Sequence, residues 1–366
     1  MRRMRAVAAG FLLCLAALPA GAAVKVTLVY IHDRSGSPGV HAYRVDSDGV
    51  MTALPGSPFG STDPSVVGQG QLGTMAYDAK AGAILTTGGT GVSSYKINAD
   101  GSLARQAGSP FGSAGLDVVG ISVVRRGKRA FVYAADQAGS SVRGFELAQD
   151  GQLSELAPTG EATGLGARFL GAGGGKLFVA NQDDDTISPF VVASDGRLTA
   201  PAAGAEPVGT ASVFQSAPDP RGRFVYAGSA DANGAIFAFR VDARTGALSP
   251  VAGSPFFAGI ANAAAGVLVP PQARVFAFRV AGNGSADCRM LKRKGSGALV
   301  AAGNIQSTGL ADIRVYGTDA KGKRLFCASP SEVRSFSVNA KTGGLTPLDH
   351  KTLGATSPAA LLVVTR

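Results

Sequence analysis

One turn recurs seven times and limits what this chain can become. In order it reads Asp48-Gly49-Val50-Met51, Asp100-Gly101-Ser102-Leu103, Asp150-Gly151-Gln152-Leu153, Asp195-Gly196-Arg197-Leu198, Thr245-Gly246-Ala247-Leu248, Ser296-Gly297-Ala298-Leu299 and Thr342-Gly343-Gly344-Leu345. The last residues of the seven stand at 51, 103, 153, 198, 248, 299 and 345, so the spacings are 52, 50, 45, 50, 51 and 46. Self-similarity at a near-constant period marks a repeat architecture. A short polar residue followed by Gly between alternating strands signals a hairpin, because the turn needs positive φ, which glycine adopts without steric penalty. Three repeats also share a closing tag: Gly56-Ser57-Pro58-Phe59, Gly108-Ser109-Pro110-Phe111 and Gly253-Ser254-Pro255-Phe256.

Each repeat divides into four strands, A to D. In the fifth, residues 212–217 form A, 224–228 form B, 235–241 form C and 248–251 form D. Ile236, Ala238 and Arg240 alternate with Phe237, Phe239 and Val241, which is the two-residue period of a strand. A lone four-stranded sheet leaves apolar faces uncovered, and radial stacking buries them. The first repeat begins with a B strand at 26–31, and a surplus strand at 359–365 follows the seventh D strand. The expected fold is therefore all-β over 24–366: a seven-bladed β-propeller with four antiparallel strands per blade, its ring closed by the carboxyl-terminal strand joining the first blade. Closure removes the free edges that invite aggregation.

The amino terminus reads as a secretory signal over 1–22. A basic stub with Arg2, Arg3 and Arg5 precedes an apolar run at 6–18, and Ala20-Gly21-Ala22 offers a cleavage site. The apolar run is too short for a transmembrane span. The expectation is thus a periplasmic or secreted protein with no membrane-crossing segment. Without the signal the net charge is about +7, which favours acidic partners. Nucleic acid is not expected, because Trp is absent and aromatics make up only 7%, too few for a base-stacking platform. Cys14 leaves with the signal; Cys288 and Cys327 remain and could pair as a disulfide or stand as two buried thiols.

Several strings resemble those of a known family. Val29-Tyr30-Ile31-His32, Leu177-Phe178-Val179-Ala180-Asn181 and Phe224-Val225-Tyr226-Ala227, each followed by a polar loop and an alternating strand, are similar to the YVTN-like repeats of the β-propeller lactonase family. That family includes 6-phosphogluconolactonase-type enzymes. The resemblance covers the whole chain after the signal and implies a propeller whose channel takes a small molecule, a lactone or sugar derivative, without a cofactor or metal. Lactone ring opening needs a polarised carbonyl and an activated water, hence a base and a cation near the channel.

Family enzymes carry His on A strands. The windows here read Gln71-Leu72-Gly73-Thr74, Val119-Gly120-Ile121-Ser122 and Ser212-Val213-Phe214-Gln215, with no His. The expected function is accordingly a lactonase-type propeller acting as a ligand-binding or protein-interaction scaffold. The alternative is an active lactone hydrolase whose catalytic residues come from His32, Asp33, Asp312 and Arg314. His32-Asp33-Arg34 opens a B–C loop, and Asp312-Ile313-Arg314 is similar to the family's acid-Ile-His stretch. Arg34, Arg168 and Asn181 are candidate ligand-binding residues. His41 on a C strand reads as a packing residue, and the acids of Gln182-Asp183-Asp184-Asp185 as a solvated loop.

In a propeller the A–B and C–D turns share one face, and the B–C and D–A loops share the other. Twelve basic residues from Lys80 to Arg324 fall on or near the A–B turns, most densely at Arg125, Arg126, Lys128 and Arg129. The B–C loops carry mainly acids, including Asp33, Asp136 and Asp183 to Asp185. These assignments predict a ring polar along its axis, with an anionic surface or protein as the partner of the basic rim.

Overall fold

The structure, a computed structural model, describes residues 25–34, 39–60, 74–87, 91–112, 116–157, 160–209, 213–229, 234–260, 264–280, 286–354 and 357–366. The proposed signal at 1–22 and the window residues Gln71, Leu72, Gly73 and Ser212 lie outside the described residues. Every regular element among the described residues is a strand, and no helix is long and apolar enough to cross a membrane.

Seven antiparallel sheets follow one another round a ring. Blade 5 shows the pattern: A is Val213–Pro218, B is Phe224–Ser229, C is Ala235–Val241 and D is Leu248–Pro250. In blade 1 the A strand comes from the end of the chain. Pro358–Thr365 pairs antiparallel with the B strand Thr27–Asp33, from Thr27 opposite Thr365 to Asp33 opposite Pro358. Val26 and Arg366 then exchange two backbone hydrogen bonds of 2.8 and 3.0 Å, completing the closure.

The turn glycines explain why the repeat was legible. Gly49, Gly101, Gly151, Gly196, Gly246, Gly297 and Gly343 all have φ between 71° and 99°. Their carbonyls also join blades. Tyr30 Oη donates to Gly101 O (2.8 Å), Tyr133 to Gly196 O (2.6 Å) and Tyr226 to Gly297 O (2.8 Å). Ser94 and Ser335 hydroxyls do the same to Gly151 and Gly49. Each hydroxyl sits on one blade and each glycine on the next, so the local turn signal doubles as an inter-blade contact. Tyr226→Phe should lower stability by about 1–3 kcal/mol, because it leaves a buried carbonyl without its donor. Urea unfolding measures this, and a midpoint matching the wild type would refute the role.

The Gly-Ser-Pro-Phe tag is where strand D breaks and resumes. In blade 5 the first half of D pairs with the end of strand C, and Phe256–Phe257 pairs with its start. At the break the tag serine supplies the missing acceptor: Ser57, Ser109 and Ser254 Oγ accept from Ala42, Ser94 and Ala238 N at 2.9, 3.1 and 2.9 Å.

The core is divided into seven clusters, one at each blade junction. That between blades 5 and 6, for example, joins Tyr226, Ile236 and Ala238 to Val275, Ala277 and Leu291. The glycine run at 171–175 belongs to this packing and not to a phosphate loop. A Cβ on Gly171 would collide with Pro218 and Ser216 O, and one on Gly173 with Asp219 O, so the A strands of blades 4 and 5 touch backbone to backbone.

Cys288 and Cys327 are thiols in this structure, both buried in the core between blades 6 and 7. Burial and the nearby Asp287 push the Cys288 thiol up to about 12; burial and Cys288 push Cys327 up as well. Both therefore stay protonated and are poor nucleophiles.

Candidate functional site

The A strands line the axis and run from the D–A loops on the upper face to the A–B turns on the lower face. Their upper ends enclose a cavity of about 220 Å³, walled by Thr74, Ile121, Phe169, Gln215, Arg314 and Tyr316, with Ala359 to Leu361 of the closing strand completing the wall. This is below the usual range for drug-sized ligands and suits a smaller molecule.

Tyr316 and Gln215 are organised across the ring. Tyr316 Oη donates to Gln215 Oε1 at 2.6 Å, and Val267 N donates to the same oxygen at 3.1 Å. With its carbonyl so occupied, the Gln215 amide offers its NH₂ as the group for a ligand. Phe278 stacks on Tyr316 with ring centres 3.9 Å apart. Burial raises the Tyr316 phenol far above its ordinary value, leaving it a neutral donor.

One arginine lines the cavity, and two further candidates are half-buried arginines. Arg314 lines the cavity, with Nε bonded to Asp312 Oδ2 at 2.6 Å. Arg34 belongs to blade 1 and Arg168 to blade 4. Burial lowers the proton affinity of both guanidiniums, and Arg168's like charge adds to the effect on Arg34. Arg168 is steadied by the side chain of Gln182 and lies 5.8 Å from the Phe169 ring centre. Asp117, half-buried just before the blade 3 A strand, feels the charge of Arg168. Burial and then Asp136 raise its carboxyl above the ordinary carboxylate value, against the pull of Arg168.

The expected His32-Asp33-Arg34 cluster is separated by strand geometry. Successive side chains point to opposite faces. His32, fully buried, shares the face with which Leu28 and Tyr30 meet blade 2; Asp33 shares that of Val29 and Ile31, toward blade 7. The carboxylate of Asp33 meets His41 Nε2 at 3.4 Å and accepts from Ser357 N at 2.8 Å. His41 therefore takes part in closing the ring, beyond the packing role read from the sequence. Asn181 is also fully buried and is engaged locally, donating to Thr186 Oγ1 and Ser188 Oγ, both at 2.8 Å. Of the sequence candidates, Arg314 lines the cavity, Asp312 is bonded to it, and the charge of Arg168 acts on Arg34; His32 and Asn181 are buried within their blades.

The A-strand windows were the right place to look. Thr74, Ile121 and Gln215, each from a window searched for histidine, line the cavity. The upper-face acids are mostly taken up by backbone N–H groups of their own and neighbouring loops. Asp136 Oδ1 accepts from Asp117 N and Gly139 N, Asp184 from Leu165 N and the Thr186 hydroxyl, and Asp185 from Val213 N. No group of His, Cys, Asp and Glu among the described residues could hold a metal ion.

No protein-family profile and no curated protein sequence matches the chain. Solved structures do. A "putative 6-phosphogluconolactonase" from Bacteroides fragilis aligns with TM-score 0.72 at 18% identity, covering 94% of this chain and 99% of that one. A second protein so described, from Bacteroides uniformis, gives 0.73 at 18%, covering 93% and 99%. The periplasmic gluconolactonase PpgL of Pseudomonas aeruginosa gives 0.65 at 15%, also covering 93% and 99%. At these identities the likeness concerns the fold: the chain shares the seven-bladed propeller over 93–94% of its length.

Proposed function

We propose that this chain is a lactonase-type propeller whose upper channel binds a small anionic sugar derivative, a sugar acid or its lactone, and that it serves as a binding scaffold with little hydrolysis. The observation that carries this reading is the Arg314 guanidinium in the cavity wall, together with the half-buried Arg34 and Arg168, the charge of the second acting on the first. The fold holds two half-buried like charges, and that of Arg168 lowers the proton affinity of Arg34. An anion beside them offsets that effect and gains charge-assisted hydrogen bonds. The Gln215 amide and the Tyr316 phenol supply neutral polar groups for hydroxyls. The structural neighbours described as gluconolactonases favour this ligand class, and the periplasmic one accords with export by the signal at 1–22.

Hydrolysis needs a base that can reach an incoming water. His32 lies inside the wall, Asp33 is engaged by His41 and Ser357, and Asp312 is bonded to Arg314. One observation favours the second reading, an active lactone hydrolase: burial and Asp136 raise the carboxyl of Asp117 above the ordinary carboxylate value, which makes it the candidate acid or base.

Calorimetry with gluconate, together with turnover of glucono-δ-lactone, tests both. Gluconate is expected to bind and glucose not; Arg168→Ala should weaken gluconate at least about tenfold, as loss of a charge-assisted contact implies. Lactone should disappear no faster than in buffer. Binding of glucose equal to that of gluconate would refute the anion site. Enzymatic lactone turnover that vanishes in Asp117→Asn would establish the hydrolase instead.

A further inference from the structure

The lower face has a charge arrangement that the channel reading does not use. Of the twelve cations expected on its rim, six are engaged. Arg125 is paired with Asp78, Arg129 with Glu146 and Arg223 with Asp219. Arg274 donates to Gly322 O, Arg324 to Asp46 O and Ser47 O, and Lys176 is buried. The inner acids are consumed as turn caps: Asp78 accepts from Ala81 N, Asp219 from Arg223 N and Phe224 N, and Asp319 from Lys323 N and Arg324 N. Lys80, Arg126, Lys128, Arg221, Lys321 and Lys323 remain exposed on the A–B turns, and none joins an ion pair among the described residues.

The A–B turns are innermost in a propeller and the C–D hairpins outermost. Those outer hairpins present exposed carboxylates at Asp48, Asp100, Asp150, Asp195 and Asp242, interspersed with cations such as Arg197 and Arg244. The lower face is therefore cationic at its centre and mixed at its edge.

We infer that the centre of the lower face docks an acidic peptide segment of a partner protein. A segment narrow enough to stay inside the outer carboxylates meets several cations at once. A flat anionic bilayer meets the outer carboxylates as well, and none of the large apolar residues exposed among the described ones (Val50, Leu165, Phe257, Val300 and Ile305) lies on an inner turn, where it could enter lipid. Each exposed contact is weak and screened by salt, so affinity comes only from several together.

A fluorescent glutamate decamer, followed by anisotropy in low and physiological salt, tests this. The rim variant Lys80→Gln, Arg126→Gln, Lys128→Gln, Lys321→Gln and Lys323→Gln is compared with an outer variant that loses the same charge through Arg197→Gln, Arg244→Gln, Lys292→Gln, Lys294→Gln and Lys341→Gln. All are exposed sites, and thermal melts of both variants check that folding is intact. The wild type should bind, more weakly in salt; the rim variant should lose about tenfold or more and the outer variant under about threefold. Equal losses in both variants, no wild-type binding at low salt, or tighter retention on phosphatidylglycerol vesicles than on the peptide would each overturn the proposal. None of these outcomes touches the gluconate measurement.

Discussion

Deleting residues 358–366 should leave no soluble, monomeric ring. The lost segment is the inner strand of blade 1, and its removal exposes the edge of Thr27–Asp33, a strand whose residues are buried from Leu28 onward. It also takes Val364 from the cluster shared by blades 1 and 2 and Leu361 and Val363 from that shared by blades 7 and 1. Folded domains are stable by only about 5–15 kcal/mol in total, and opening one blade at two junctions consumes a margin of that size. An unpaired apolar edge also templates aggregation. Soluble yield and size-exclusion chromatography measure the outcome, and a synthetic peptide spanning 357–366 should recover part of the yield by refilling the strand. A truncated chain that elutes as a monomer and melts with the full-length protein would show that ring closure is dispensable.

That the closing strand could be read from the sequence, while much of the site could not, has a physical reason. The seven hairpins each depend on a local requirement, positive φ at one glycine, so sequence reports them directly. The strand count at the two ends then leaves one arrangement. Site chemistry is non-local. Gln215 and Tyr316 meet across the ring, 101 residues apart, and nothing in a neutral amide or a strand tyrosine announces that they will share a cavity. His32, Asp33 and Arg34 mislead in the opposite way: adjacency suggests a cluster, and the strand's alternation sends His32 and Asp33 to opposite faces. Charges on the lower rim were read as lying on or near A–B turns, but which of them were paired depended on neighbours such as Asp78, whose partner Arg125 lies one blade on. Arg34 and Arg168 were named from their positions, yet the effect of Arg168's charge on Arg34, from blade 4 to blade 1, shows only in the folded ring.

Asp219→Ala should be the most destabilising single substitution considered, at about 3–5 kcal/mol, the usual effect of stranding a buried charge. The carboxylate is fully buried in the A–B turn of blade 5. Oδ1 accepts from Arg223 N at 2.6 Å and Phe224 N at 3.1 Å, while Oδ2 bonds Arg293 Nη1 of blade 6 at 3.1 Å. The Arg293 side chain is only 7% exposed, so water cannot take over the lost partner. The Phe224 ring lies among the guanidiniums of Arg223, Arg240 and Arg293, with centroid distances of 5.7, 5.5 and 5.9 Å, which packs this corner further. The turn was legible as Asp219-Pro220-Arg221-Gly222, but the distant arginine that makes Asp219 critical was not. Urea unfolding of Asp219→Ala, Arg293→Leu and the double variant separates the two contributions. If the stranded charge dominates, adding Arg293→Leu to Asp219→Ala recovers part of the loss, because the orphaned guanidinium goes with it. If the double variant is as unstable as the two single losses added together, the carboxylate acts through its own turn alone and the bridge between blades 5 and 6 contributes nothing.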